Sequence, residues 1–133
     1  MEYLKQIEYW LEISQDDLKS AESIFINGNY DWALYIGHLA LEKVLKAYYA
    51  AKMNVVPPKI HKLDRIAELS GLEVSEEQDK LFKIINEFNL EARYPDYKKK
   101  FKNLCTRDFA ENYLTEIKKL HQWIQEEIQK LKS

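Results

Sequence analysis

Glycine and proline are scarce in this chain, which contains three of each in 133 residues. So few turn-forming residues leave room for few chain reversals, and this argues against a β-sandwich, a β-barrel or a low-complexity chain. With 46% hydrophobic residues, a chain of this length can bury a sizeable core. We therefore expect a single domain that spans residues 1–133.

Apolar residues recur at helical spacing in the first half of the chain. In the first segment only Ser14 interrupts the stripe, and Asn27-Gly28-Asn29 provides a stop. The second segment covers about residues 31–52 and ends before Pro57-Pro58, which disfavours helical geometry. The first stripe contains Leu4, Ile7, Leu11, Leu18, Ala21 and Phe25, and the second contains Leu34, Gly37, Leu41, Val44, Leu45 and Tyr48.

The second half of the chain has the signals of three further helices. A short helix over residues 61–69 should end at Ser70-Gly71. The capping-box pattern at residues 75–78 begins a third main helix, which we expect Pro95 to break. Thr106 can cap a last long helix. Its predicted buried stripe consists of Ala110, Leu114, Ile117, Ile124, Ile128 and Leu131.

These patterns predict an all-α fold. Four amphipathic helices longer than about 14 residues, joined by short connections, must bury their stripes against one another. We predict an up-and-down antiparallel four-helix bundle with an additional short helix.

Charge and cysteine content exclude several classes of protein. The net charge of −2 excludes a globally basic nucleic-acid binder, although residues 51–133 hold sixteen basic residues against fourteen acids. Cys105 is the only cysteine, so neither a disulfide framework nor a thiolate metal cluster is expected. The first residues lack a signal-peptide pattern, and no apolar run approaches a membrane span. We therefore expect a cytoplasmic protein that has no metal site and does not insert into a membrane.

The first candidate site lies on the second predicted helix. His38, Glu42 and Lys46 follow one another at four-residue spacing along one edge of the apolar face. Such a polar stripe can line a cleft between helices. The alternative is that Glu42 and Lys46 form an ordinary exposed pair and that His38 is a boundary histidine.

The second candidate site is the segment Asn89-Leu90-Glu91-Ala92-Arg93-Tyr94-Pro95-Asp96-Tyr97, together with the basic stretch that follows it. Between Arg93 and Arg107 there are six basic residues and one acid, interleaved with aromatic side chains. Arg93 could hold a phosphate bidentately, while Tyr94 or Tyr97 could stack on a base. In the alternative interpretation this is a solvated loop in which Pro95 and Asp96 make the turn.

The remaining histidines do not suggest a metal site. His61 follows Pro57-Pro58 at a helix start, and His121 lies on the stripe of the last helix, as a core or interface histidine. No H-x-x-x-H or H-E-x-x-H spacing is present. The phosphate-loop, dinucleotide-binding and nucleophile-elbow motifs are also missing from the sequence.

Three ordered blocks resemble the HEPN family, the higher eukaryotes and prokaryotes nucleotide-binding domain. They are the His38-Leu39-Ala40-Leu41-Glu42-Lys43-x-Leu45-Lys46-Ala47 segment, the Pro57-Pro58-x-x-His61 connection and the Ala92-Arg93-Tyr94-Pro95-Asp96 turn. The resemblance implies a small helical bundle, usually a homodimer, often encoded beside a minimal nucleotidyltransferase with which it forms a complex. Some members of the family are ribonuclease toxins of toxin–antitoxin pairs.

The ribonuclease signature of the family, an arginine followed after four to six residues by a histidine, is not present. Lys98, Lys99 and Lys100 occupy the corresponding positions after Arg93, and neither Arg65 nor Arg107 is followed by a histidine at that spacing. Without this histidine the expected acid–base group of the toxic members is missing. The resemblance therefore implies a non-catalytic binding subunit that needs no cofactor. Its expected ligand is a nucleotide or an RNA phosphate, held by Arg93, Tyr94, Asp96, Tyr97, His38, Glu42, Lys46 and His61.

Three alternatives remain open at the level of sequence. The first is a divergent, metal-independent ribonuclease that uses Arg93 with His38 or His61. The second is modification of Tyr94 or Tyr97 by a nucleotidyltransferase partner through adenylylation. The third is a structural dimer without any ligand.

Overall fold

A computed structural model describes the backbone of residues 2–132 and the side chains of residues 4–132. These residues form six α-helices and one 3₁₀ helix, and none of them lies in a β-strand. The helices are α1 (Glu2–Ile26), α2 (Tyr30–Met53), α3 (Leu63–Ser70), α4 (Glu76–Asn86), the 3₁₀ helix (Leu90–Ala92), α5 (Pro95–Leu104) and α6 (Arg107–Lys132). The prediction of an all-α helical bundle is confirmed.

The long helix α2 lies at the centre of the bundle, in contact with α1, α3, α5 and α6. Residues 27–29 reverse the chain between α1 and α2, and Gly28 adopts a φ of 86°, which favours glycine. At Gly37, a Cβ atom would lie 2.9 Å from Cδ1 of Ile117 on α6. The missing side chain thus lets α2 and α6 approach closely.

The predicted stripe of α6 is buried over most of its length, as are Leu34, Leu41, Val44 and Leu45 of α2. Leu131 is an exception, because it is 38% exposed, and Leu4 of α1 is 51% exposed. Both residues lie in terminal turns, where a helix is packed on fewer sides. Their assignment to the buried stripes was therefore wrong.

Two buried polar residues connect α1 to α6. Ser14, which interrupts the first apolar stripe, is completely buried, and its Oγ lies 3.1 Å from Nε2 of His121. The same hydroxyl donates a hydrogen bond to the Leu11 carbonyl oxygen at 2.8 Å. His121 is therefore a core histidine, in agreement with its position on the predicted stripe.

Helix α4 begins as predicted but ends earlier. The capping box is formed, since Ser75 Oγ accepts from the Gln78 amide at 3.0 Å and Gln78 Oε1 accepts from the Ser75 amide at 2.9 Å. The helix has 11 residues and does not continue to Pro95, which corrects the prediction of a long third helix. The chain turns after Asn86 because Phe88 and Leu90 are directed into the core.

Helix α5 differs from the sequence prediction, which places a turn followed by a basic stretch in this region. Pro95 occupies the first turn of the helix, where its missing N–H has no partner to lose and its fixed φ suits a helix. Phe101 is buried and packs on Phe88, with 5.3 Å between the ring centroids. Proline therefore starts a helix here instead of only ending one.

Helix α3 starts at Leu63 instead of residue 61 and stops at Gly71, whose φ is 74°.

Among the described residues, no helix has both the length and the apolar character required to cross a bilayer.

Candidate functional site

A cleft of about 350 Å³ lies beside α2, where three separate segments of the chain meet, and most of its lining residues are polar or charged. Helix α2 contributes one histidine, the connection before α3 contributes two basic residues, and the end of α4 with its following turn contributes the rest. The lining residues are His38, His61, Lys62, Asn86, Asn89, Ala92 and Arg93. We call this the cationic cleft, since Arg93 and Lys62 bring positive charge to it.

The side chain of Asn86 fixes the position of α3 relative to α4. Its Oδ1 accepts a hydrogen bond from the Leu63 amide at 2.8 Å, and its Nδ2 donates to Asp64 Oδ1 at 2.7 Å. An amide at the start of a helix lacks a partner within the helix, so Asn86 caps α3 from another element. The cap also holds Lys62, the residue before α3, at the edge of the cleft.

Arg93 is held in place from two sides. Its guanidinium pairs with the Glu87 carboxylate and lies 5.1 Å from the centroid of the Tyr97 ring. The side chain is 31% exposed, and Nε is buried without a hydrogen-bond partner among the described residues. Buried polar groups are normally satisfied, so this donor lacks the acceptor that such groups usually have.

His38 is almost completely buried, with 1% of its surface exposed. Burial lowers the pKa of His38 to about 4, and the charges of His61 and Arg93 lower it further, against the opposing effects of Glu42 and a hydrogen bond with the His61 backbone. The ring is therefore neutral at neutral pH. Its Nδ1 has no partner among the described residues, so His38 offers a polar atom to the cleft, not a charge.

Glu42 and Lys46 form a buried pair, with 3.0 Å between Nζ and Oε2. The interpretation of these residues as an exposed pair is thereby corrected, because each of them is only 6% exposed. The same Glu42 oxygen lies 3.1 Å from Nδ1 of His61, which belongs to the cleft. The Lys46 ammonium group also lies 5.4 Å from the centroid of the Trp10 ring on α1, and Lys46 does not line the cationic cleft.

A second pocket of about 280 Å³ adjoins the cationic cleft and shares His61, Asn89 and Ala92 with it. Its other lining residues are Tyr35, Leu39, Glu42 and Glu91. We call it the acidic pocket, because two carboxylates face it. Burial raises the pKa of Tyr35 to about 12, assisted by a hydrogen bond with Glu91, so its hydroxyl stays protonated.

The residues of the Arg93-Tyr94-Pro95-Asp96-Tyr97 segment have different environments. Tyr94 is 86% exposed and Asp96 is exposed in the first turn of α5. The Tyr97 hydroxyl donates to the Glu87 carbonyl oxygen at 3.1 Å, and its ring lies nearly parallel to that of Phe101. The structure thus brings His38, His61 and Arg93 together in one cleft, places Glu42 beside it, and leaves Tyr94 and Asp96 on the surface.

Several lining residues were not selected from the sequence. Asn89 and Glu91 belong to the second candidate segment, but an asparagine and a glutamate in a turn have no distinctive signal of their own. Asn86, Lys62 and Tyr35 belong to other elements, and only packing of α2, α3 and α4 against one another brings them to the site.

The fold and the cleft define a helical-bundle protein with a polar site formed beside its second helix. A family model of the HEPN domain matches residues 7–128, and the chain therefore belongs to the HEPN domain family. The family assignment made from the three sequence blocks is confirmed.

Similarity to a solved structure agrees with the fold. The crystal structure of TT1696 from Thermus thermophilus superposes with a TM-score of 0.77 at 23% sequence identity, covering 91% of this chain and 97% of that one. At this identity the likeness concerns the fold. A comparison with curated proteins found no significant match.

Proposed function

We propose that residues 1–133 form one HEPN-type domain that acts as a non-catalytic, nucleotide- or phosphate-binding subunit. In this proposal the domain is a homodimer that pairs with a minimal nucleotidyltransferase in a module of toxin–antitoxin type. The observation that supports binding is the cationic cleft, in which Arg93 Nε and His38 Nδ1 are buried and unpartnered among the described residues. A phosphate oxygen supplies the acceptor that the guanidinium N–H lacks.

Calorimetry with nucleoside 5′-monophosphates tests the assignment of the cleft. We expect the parent protein to bind and Arg93→Ala to bind at least about tenfold more weakly, because a charge-assisted hydrogen bond is lost. Arg107→Ala is the matched control, since Arg107 pairs with Glu111 and lies over Phe25, away from the cleft. Equal, measurable affinity for parent and Arg93→Ala would rule out the cleft as the site.

Modification by the partner has one favoured position in this proposal. A nucleotidyltransferase that adenylylates this chain is expected to use Tyr94, because its side chain is exposed, whereas the Tyr97 hydroxyl already donates a hydrogen bond. Intact mass after co-expression with the partner tests this expectation. A mass increase that persists in Tyr94→Phe and disappears in Tyr97→Phe would contradict it.

A metal-independent ribonuclease is the second candidate function, and it is favoured by one observation: Arg93, His38 and His61 line the same cleft. His38, with a pKa of about 4, is a weak general base at neutral pH, so His61 would have to carry proton transfer. This function predicts RNA cleavage that persists with a chelator and is lost in His61→Ala. Intact RNA at high protein concentration would exclude it.

A further inference from the structure

The acidic pocket places hydrogen-bond acceptors next to the cationic cleft. Glu42 is only 6% exposed, and while its Oε2 contacts Lys46 and His61, its Oε1 has no partner among the described residues. Glu91 lines the same pocket. A buried carboxylate oxygen without a donor is costly, so a ligand that supplies an N–H group is favoured at this position.

The two cavities share one wall, formed by His61, Asn89 and Ala92. A ligand that occupies both cavities meets Arg93 and Lys62 in the cationic cleft and Glu42 and Glu91 in the acidic pocket. Free phosphate satisfies only the cationic cleft. A ligand that suits both cavities carries an anionic group and, at a short distance from it, an N–H donor.

We infer that the acidic pocket binds the amino edge of a nucleobase, so that the site selects nucleotides with an exocyclic amine over uridine nucleotides. This inference rests on the proposed nucleotide-binding function. Adenine, cytosine and guanine each present an amine that donates hydrogen bonds. Uracil presents two carbonyl oxygens around a single N–H, and these oxygens face carboxylates that accept but do not donate.

The test is calorimetry with five probes, namely the 5′-monophosphates of adenosine, cytidine, guanosine and uridine, and inorganic phosphate. We expect each of the three amine-bearing nucleotides to bind at least about tenfold more tightly than uridine monophosphate, because a site built to receive an exocyclic amine rejects a base that presents a carbonyl oxygen in its place. Glu91→Gln should reduce this preference several-fold, because the amide adds an N–H donor for a uracil carbonyl oxygen. It preserves an acceptor for Tyr35 and changes an exposed position, so the fold should be retained.

Two further variants complete the experiment. Glu73→Gln is the matched control, since Glu73 is exposed and lies outside both cavities, and it should retain the parental preference. Tyr35→Phe keeps both carboxylates and should also retain it. Equal binding of all four nucleotides by the parent, or an unchanged preference in Glu91→Gln, would overturn the inference while leaving the nucleotide-binding function in place. Failure of the parent to bind any of the five probes would overturn both.

Discussion

At the residue scale, His121 is one of two buried histidines that make stability sensitive to acid, and His38 is the other. Burial lowers the pKa of His121 to about 4, whereas an unfolded histidine titrates near about 6.5. Between these values the unfolded chain binds more protons than the folded chain, so the free energy of unfolding falls as the pH drops from about 6.5 to 4. Above about 6.5 neither state protonates this histidine, and its effect on stability no longer changes with pH. At about 1.4 kcal/mol per pKa unit, the loss approaches about 3 kcal/mol at pH 4.

Urea unfolding at pH 7, 5.5 and 4 measures this effect. His121→Gln should make the dependence on pH shallower, because it removes one of the two buried histidines that have a lowered pKa. Ser14→Ala is the control: it removes the 3.1 Å contact to His121 but keeps the imidazole, so it should lower stability and preserve the acid-side slope. An unchanged slope in His121→Gln would assign the pH dependence to other groups, among them His38.

Tyr94 and Tyr97 have distinct roles although they are three residues apart. Tyr94→Ala should change the free energy of unfolding by no more than about 0.5 kcal/mol, as is usual for an exposed side chain. Tyr97→Ala should cost about 2 kcal/mol, because it removes the packing on Phe101 and Arg93 and a hydrogen bond to Glu87. Chemical denaturation of both variants is the measurement, and equal costs would refute the distinction.

At the scale of helices, Asn86 connects the end of α4 to the start of α3. Asn86→Ala should destabilise the protein by about 1–2 kcal/mol, because the Leu63 amide loses its cap. Asn86→Asp keeps the acceptor but places a carboxylate against Asp64, so it should recover little of this loss at neutral pH and more at low pH. Thermal unfolding at both pH values checks the order of the variants.

The corrections to the predicted helices also belong to this scale. The starts of α4 and α6 could be predicted, because the hydroxyls of Ser75 and Thr106 each accept a hydrogen bond from the backbone amide three residues later. The end of α4 could not be predicted, because it depends on burial of Phe88 against Phe101 and Tyr113, which are distant in sequence. Local caps act over one turn, whereas the point where a helix stops here is set by packing.

For the whole molecule, the small net charge conceals a basic surface on α5. Lys98, Lys99, Lys100 and Lys102 are all exposed, while the flanking Arg93 and Arg107 pair with Glu87 and Glu111. Under the proposed phosphate-binding function, replacing these four lysines by glutamine should weaken binding of single-stranded RNA and reduce its salt dependence. The expected change is about 0.7 in the slope of log K against log salt for each phosphate that the variant no longer neutralises.

The control replaces four other lysines by glutamine, which gives the same change in net charge. These lysines are ion-paired on α4 and α6, and they are Lys80, Lys83, Lys118 and Lys119. Binding titrations at several salt concentrations should show a smaller slope only for the α5 variant. Equal slopes in the two variants would mean that net charge, and not the α5 surface, controls the interaction.

The amino-acid sequence by itself determined that this chain forms a helical bundle of the HEPN family. Helical periodicity, caps and the family blocks depend on residues that are close in sequence, so they can be recognised without coordinates. The tertiary structure alone decided that Glu42 and Lys46 are buried, that residues 95–104 form a helix, and that His38, His61 and Arg93 share a cleft. Each of these outcomes requires segments distant in sequence to pack together, and the free energy of that packing depends on burial across elements, which no local pattern contains.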